Sequence, residues 1–204
     1  MNPYRTSQKF AGRAWVWALF MVCFFNLPSY ALAGETRGFF MLNLDGGGEK
    51  LATLYFAGGG SASLTAGGKT SLGGGISMLN DSKDFETQVA ISWKNNSISA
   101  SNQSLEFTRY PLDILFFYRG SDFRFGGGLT YHLSPVFSAS GSLANGKTTF
   151  HDSPGLLLEG DFITSDGTSG LLLVGLRIFA LNYTKAGSPS INGSGAGLGI
   201  TYMF

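Results

Sequence analysis

The sequence predicts an all-β protein, a transmembrane antiparallel up-and-down β-barrel of eight strands. Two observations predict this fold: hydropathy alternates with a period of two along most of the chain, and one face of the alternation is apolar while the other is rich in Gly, Ser and Thr. Charged residues make up 13% of the 204 residues, against about 25% in ordinary globular proteins. This low charge argues against disorder, and a formal net charge of +1 argues against a nucleic-acid partner.

Residues 1–33 have the three parts of a secretory signal. The basic residues of its first part are Arg5, Lys9 and Arg13. An apolar run over 14–25 follows, and Ala31 and Ala33 form a small-residue cleavage pattern before Gly34. A membrane anchor is the alternative, but this run is shorter than the roughly 20 residues that span a bilayer as a helix. We therefore expect a barrel domain over 34–204, with no cysteine because Cys23 is removed with the signal.

Eight segments of the predicted mature chain alternate as β-strands do. They are Gly38–Asp45, Ser71–Leu79, Phe85–Asn95, Arg109–Arg119, Phe123–Ser134, Gly155–Ile163, Gly170–Tyr183 and Gly197–Phe204. The phase of Gly170–Tyr183 stays open because residues 171–181 are apolar on both faces, which would also suit a bulge. Ten strands are the alternative if Lys50–Phe56 and Ala62–Ala66 enter the membrane; we interpret them as a hairpin above it.

The apolar faces are expected to point outward into lipid. Aromatic residues fall near strand ends, as an interfacial girdle requires, and the small polar residues of the other face suit a narrow interior. The connections support this arrangement, because short turns at 79–84, 119–122 and 164–168 alternate with longer loops. The predicted outer loops are about 46–70, about 96–106, 135–154 and 185–193.

The C-terminal segment GLGITYMF carries a resemblance. Its apolar and aromatic residues at every second position are Leu198, Ile200, Tyr202 and Phe204. This pattern resembles the terminal strand by which bacterial outer-membrane barrels are recognised for assembly. With the signal and the eight segments, the chain resembles the small eight-stranded outer-membrane barrels of Gram-negative bacteria, of the OmpA membrane domain, OmpX and OmpW types.

The resemblance implies an outer-membrane location, contact with lipid and lipopolysaccharide, and recognition by the assembly machinery through the C-terminal strand. It leaves the function open, since the group includes anchors, adhesins, small channels and enzymes. We expect a monomer without enzymatic activity, serving envelope structure or surface interaction through the outer loops.

Nine titratable residues are expected to project into the lumen. They are Glu86, Lys94, Arg109, Asp113, Arg124, His132, Glu159, Asp161 and Arg177. Acids and cations are nearly matched, so we expect them to pair and to fill a closed barrel. The alternative is a narrow small-solute channel lined by Arg109, Arg124 and Arg177.

A lipid A-modifying enzyme is the third hypothesis. His132-Leu133-Ser134 resembles the His and Ser, two residues apart, of the outer-membrane lipid A deacylases, with Glu159 or Asp161 as the carboxylate. The spacing predicts His132 and Ser134 on one face of a strand, but Pro135 stands where those enzymes carry Asn. With two His and no cysteine in the predicted mature chain, neither a metal nor a cofactor is expected.

Overall fold

The computed structural model describes residues 34–56, 58–100, 102–141, 145–165 and 170–204. The predicted signal at 1–33, with its cleavage residues Ala31 and Ala33, lies outside the described residues. Within the described ranges, no helix has the length and apolar character needed to cross a membrane.

The described residues form twelve β-strands. Eight of them make the barrel: β1 (Thr36–Gly47), β4 (Lys69–Leu79), β5 (Phe85–Ala100), β6 (Gln103–Arg119), β7 (Phe123–Gly141), β9 (Ser153–Ser165), β10 (Leu171–Tyr183) and β12 (Gly195–Met203). The remaining four are β2 (Lys50–Tyr55), β3 (Ser61–Thr65), β8 (Gly146–Thr149) and β11 (Ile191–Asn192). The eight barrel strands pair antiparallel in chain order. The prediction of an all-β antiparallel barrel with eight strands is confirmed.

Strand β12 pairs back onto β1 and closes the cylinder. Phe40 faces Tyr202 and Leu44 faces Leu198 in this seam. Following paired residues once around the barrel from Thr36 leads back to β1 at Gly46, ten residues along the strand. Such a stagger requires strands tilted by roughly 35–45° from the barrel axis, and eight strands leave an interior just wide enough for side chains. Any site inside must therefore be built from packed side chains.

The barrel wall carries its apolar side chains outward and most of its charged ones inward. On β10, Leu172, Val174, Leu176 and Ile178 are exposed, whereas Arg177 is buried. The open phase of this segment is thereby settled. Its pairing with β9 shifts register between Leu172 and Leu173.

Exposed aromatic residues form two girdles on the outer wall. The lower girdle, beside the short turns, contains Phe85, Tyr118, Phe123, Tyr202 and Phe204. Trp93 and Tyr110 belong to the upper girdle, together with the half-buried Tyr131 of β7. Girdles above and below an apolar band are typical of barrels that span an outer membrane. The short turns accordingly mark the periplasmic end and the long connections the outer end.

Two predicted outer loops are wrong in part, because strands occupy them. The segment 96–106 is the upper hairpin of β5 and β6, and much of 135–154 belongs to β7 and β8. Above the membrane the alternation inverts: Ser97 and Glu106 are exposed, whereas Leu105 and Phe107 are buried. Water lies outside this part of the wall instead of lipid, so the polar face turns outward.

The hairpin of β2 and β3 forms a separate two-stranded sheet, as expected for a hairpin above the membrane. Its Leu54 and Leu64 are buried against the inner face of the upper wall. Partners from the wall are Leu105, Phe107, Phe150, Leu181 and Tyr183. We call this assembly of hairpin and upper wall the cap. Its apolar core lies across the outer end of the lumen.

Candidate functional site

The lower lumen holds an ion cluster centred on Arg124. This lower cluster consists of Glu86, Arg119, Arg124, Glu159 and Asp161. The Arg124 guanidinium donates from Nε to Asp161 at 2.7 Å, contacts the Glu86 carboxylate, and stacks on Phe117 at 4.1 Å from the ring centroid. Four strands, β5, β6, β7 and β9, are joined by these side chains.

Glu86 is completely buried and carries several charge-assisted contacts. Its carboxylate accepts a hydrogen bond of 2.6 Å from Ser77 and one of 2.9 Å from Arg119, besides the contact with Arg124. An unpaired carboxylate at this depth would be costly to bury. With two guanidinium partners and a hydroxyl, its burial is compensated, which fixes the relative positions of β4, β5, β6 and β7.

A second ion cluster occupies the middle of the lumen. This middle cluster consists of Asp45, Lys94, Asp113 and Arg177. Lys94 Nζ lies 2.7 Å from Asp45, and Arg177 lies 3.8 Å from Asp45 and 3.6 Å from Asp113. Thr130 donates a hydrogen bond of 2.5 Å to Asp113. Arg177 therefore bridges two carboxylates on opposite parts of the wall.

Arg109 pairs with Lys94 of the middle cluster along the wall and contacts the base of the cap. Within the described part of the chain it forms no ion pair with a carboxylate. Its guanidinium donates to the carbonyl oxygen of Gly68 at 2.5 Å, in the segment that leads from β3 to β4. It also stacks on the Phe107 ring at 4.6 Å from the centroid. Arg109 thus connects the β2–β3 hairpin to β6.

The structure places all nine residues proposed for the lumen on its inner face: seven belong to the two clusters, and Arg109 and His132 lie beside the cap. Two further charged residues, Asp45 and Arg119, belong to the clusters but were missed as site residues. Asp45 stands at the edge of a predicted loop, so its alternation gave little signal. With both included, five acids face five Lys and Arg side chains in the described lumen.

The predicted arrangement of His132 and Ser134 on one face is wrong. His132 is buried in the lumen, and its Nδ1 lies 2.6 Å from the Tyr183 hydroxyl. Ser134 is exposed and has a φ of 47°, because Ser134 and Pro135 form a bulge opposite Arg109. The extra residue turns the serine away from the histidine.

Glu159 is also remote from His132. In the pairing of β7 with β9, His132 faces Ser153, and Glu159 lies six residues further along β9. At about 3.3 Å per residue this separates the two side chains by roughly 20 Å. A relay of His132, Ser134 and Glu159 is not assembled. Asp161, the other proposed carboxylate, is bound to Arg124.

The lumen therefore contains interlocked ions beneath an apolar cap, together with a second apolar cluster around Phe39, Leu173 and Met203 on its lower wall. Its guanidinium groups are held by carboxylates, carbonyl oxygens or aromatic rings. Among the described residues, no group of three or more His, Cys, Asp and Glu side chains has the arrangement of a metal site. The charged side chains of this interior neutralise one another and cross-link the strands.

Comparisons with known proteins add the following similarities. No family model matches the chain, and no curated protein matches it. The crystal structure of Neisserial surface protein A (NspA) is similar over 83% of this chain and 96% of that chain, with 11% identity and a TM-score of 0.43. The solid-state NMR structure of the outer membrane protein AlkL in lipid bilayers is similar over 84% of this chain and 90% of that chain, with 16% identity and a TM-score of 0.46.

The assignment of the fold and location follows from the geometry of the chain itself. Its cylinder is closed by backbone pairing, so none of the described barrel strands has a free edge at membrane depth. Its outer surface carries an apolar band between aromatic girdles, and its charged side chains are enclosed. The protein is a small eight-stranded β-barrel of the outer membrane.

Proposed function

We propose that this protein is a non-enzymatic outer-membrane barrel that is sealed to solutes and presents its cap as a structural or interaction element at the cell surface. The observation that carries the proposal is the apolar core of the cap across the outer end of the lumen. Leu64, Phe107 and Tyr183 are fully buried there. A solute entering from outside would have to displace this core.

The ion clusters below the cap support the same function. Glu86, Arg124 and Asp161 cross-link the lower wall, and Asp45 with Arg177 and Lys94 cross-links the middle. A conducting path past these side chains would require several buried ion pairs to separate, each at a cost of a few kcal/mol. The interior thus favours a rigid support for the cap over a passage.

Conductance across planar bilayers tests the sealed barrel against a narrow channel. We expect the wild-type protein to produce no discrete steps. Discrete steps whose size changes in Arg109→Ala or Arg124→Ala would overturn the proposal and favour the channel. Folded insertion of each variant is checked by its heat-dependent mobility in a denaturing gel.

Mass spectrometry of lipid A tests the non-enzymatic part of the proposal. The outward Ser134 and the remote Glu159 argue against acyl transfer by His132. We expect the acyl pattern of lipid A to be the same in cells with and without the protein. Loss of an acyl chain that depends on His132 would contradict the proposal.

The proposed partners are outer-membrane lipid, lipopolysaccharide and, during insertion, the assembly machinery. The girdles and the apolar band support contact with lipid, and the terminal strand with Phe204 supports recognition for assembly. We propose a monomer, since the closed wall offers no open edge in the membrane for pairing with a second copy.

A further inference from the structure

The middle cluster and Arg109 together contain more cations than carboxylates. The cations are Lys94, Arg109 and Arg177, and the carboxylates beside them are those of Asp45 and Asp113. The lower cluster has the opposite excess, with three carboxylates and two guanidinium groups. We call the space around the middle cluster and Arg109 the upper lumen; its described charged side chains leave it positive.

The carboxylates of the lower cluster do not neutralise this excess. Glu86 lies eight residues below Lys94 on β5, which separates the two by roughly 26 Å at about 3.3 Å per residue. Glu159 stands beside Arg177 in the pairing of β9 with β10, but its ion pair is with Arg124, at 3.7 Å. The positive excess therefore stays in the upper lumen.

Lys94 and Arg109 concentrate this excess in one place. They are facing residues of β5 and β6, and both side chains point inward. Like charges in facing positions of a sheet repel each other, and burial strengthens the repulsion because water screens it little. Among the described residues, Asp45 provides the one carboxylate in ion-pair contact with these two cations, at 2.7 Å from Lys94. The two cations thus have a single negative partner.

The guanidinium of Arg109 also carries an unused donor. Its two terminal nitrogens donate to the carbonyl oxygens of Phe107 and Gly68, at 3.4 and 2.5 Å. Its Nε–H is buried and has no hydrogen-bond acceptor among the described residues. A buried donor without an acceptor costs free energy, and the cost is larger on a charged group. The side chain that lacks an ion pair is therefore also the one that lacks an acceptor.

A small anion satisfies both requirements at once. It accepts a hydrogen bond from the Nε–H and supplies the negative charge that the pair of cations lacks. The interior of an eight-stranded barrel is only just wide enough for side chains, so a large anion is excluded. Because the excess amounts to one charge, a monovalent inorganic ion is sufficient.

We propose that the upper lumen binds one chloride-sized inorganic anion between Lys94 and Arg109, with the Nε–H of Arg109 donating to it. The ion joins β5 to β6 beneath the cap and removes the repulsion between the two cations. It is enclosed by the wall and the cap, so its role is structural. The inference does not depend on the interaction proposed for the cap at the cell surface.

The dependence of unfolding on chloride tests this site. The barrel is folded in detergent micelles at fixed pH, in mixtures of sodium chloride and sodium gluconate of constant total concentration. Gluconate is too large for the lumen, and the constant total keeps ionic screening the same. An anion that binds only the folded barrel stabilises it increasingly as its concentration rises. We expect the urea midpoint of the wild type to rise with the logarithm of the chloride concentration.

Two variants and a matched control locate the effect. Lys94→Met removes one cation, and Arg109→Gln removes the other while keeping a donor for Gly68. Each should weaken the apparent Kd for chloride by about tenfold or more. Lys69→Met removes an exposed lysine at the outer end of β4 and should keep the dependence of the wild type. Heat-dependent gel mobility verifies folding, and either variant decides if the other does not fold.

Anomalous diffraction from crystals of the wild type grown in sodium bromide tests the position without any variant. We expect a bromide peak beside Nζ of Lys94 and Nε of Arg109. Three results would overturn the inference: a urea midpoint that does not change with chloride, a chloride dependence that both folded variants retain in full, or no bromide peak at this pair.

Discussion

The contacts of Arg124 show how a charged side chain is stabilised inside a membrane barrel. It is fully buried, yet Asp161 and Glu86 neutralise it and Phe117 covers its guanidinium face. A lone charge in this position would carry a large desolvation cost. The same rule separates the two faces of each barrel strand within the membrane, because a charge on the lipid face has no such partners.

Substitutions on neighbouring residues of β6 test this rule. Ile114→Arg places a cation on the lipid face near mid-membrane, with an expected loss of about 2–4 kcal/mol in the free energy of unfolding. Asp113→Asn should cost less, since an Asn oxygen can still accept from Thr130 and Arg177 keeps Asp45. Urea unfolding from lipid vesicles measures both values. Equal losses would contradict the assignment of the faces.

The hydrogen bonds to Asp84, in the turn before β5, can be tested by an acid titration. Hydrogen bonds from Ser82 and Asn80 hold the pKa of the Asp84 carboxyl below its ordinary value of 3.8. A lowered pKa means that the stabilisation is present above the ordinary value and is lost as pH falls through the lowered one.

We expect Ser82→Ala to raise the pKa of Asp84 toward 3.8, as measured by carboxyl NMR during an acid titration. Ser121→Ala is the control, because its hydroxyl serves Asp122 in a different turn. An unchanged Asp84 pKa in Ser82→Ala would show that the serine does not stabilise the charged form.

For single residues, the sequence predicts which side of the wall a side chain faces better than it predicts which side chains it contacts. Alternation is enough to turn Arg124 and Asp161 inward, because the side-chain period of a strand is two. It does not reveal that Asp45 joins Lys94, which depends on the stagger between β1 and β5. Nor does it reveal the bulge at Ser134, since one inserted residue changes the phase without changing the composition.

At the scale of elements, the membrane strands were predictable and their extensions were not. Phe85–Asn95 alternates strongly because one face meets lipid, and the structure continues this strand to Ala100. Beyond the membrane the outward residues of β5 are Ser and Asn, so this part of the strand has the composition of a loop. The inward Ile98 and Leu105 carry the remaining signal, and they become recognisable as a pattern only when paired with the β2–β3 hairpin.

A substitution in the cap core tests whether this core holds the β2–β3 hairpin against the wall. Leu64 is fully buried, so Leu64→Ala should cost about 2–5 kcal/mol locally and loosen β2 and β3 from the wall. Lys50 and Lys69 flank the hairpin, and trypsin should cut there faster in this variant. Tyr55→Ala is the control, because Tyr55 is 78% exposed. Trypsin resistance equal to that of the wild type would mean that Leu64 does not hold the hairpin.

Across the whole molecule, the outer wall faces lipid at membrane depth and water above it. This change of surroundings explains why the alternation of apolar and polar residues inverts. Between the girdles the wall faces lipid and encloses ions; above the upper girdle it faces water and encloses Leu54, Leu64 and Phe107. Both arrangements bury whatever the local surroundings exclude. The sealed outer end is a consequence of this change and could not be predicted from the strand pattern alone.

Deletion of Phe204, at the end of the closing seam, should impair insertion in cells more than it impairs the folded barrel. Phe204 exchanges two backbone hydrogen bonds with Gly38, of 2.9 and 3.1 Å, and its ring lies 5.4 Å from that of Phe40. Its side chain is 57% exposed, so its loss removes one pairing at the end of the seam and little core. We expect a several-fold lower yield in the outer membrane, with nearly unchanged refolding into detergent. Phe40→Ala removes the same ring contact and keeps the terminus, so its yield should stay near that of the wild type. Normal yield of the truncation would contradict recognition through the terminal residue, whereas failure of both variants to refold would assign Phe204 to stability.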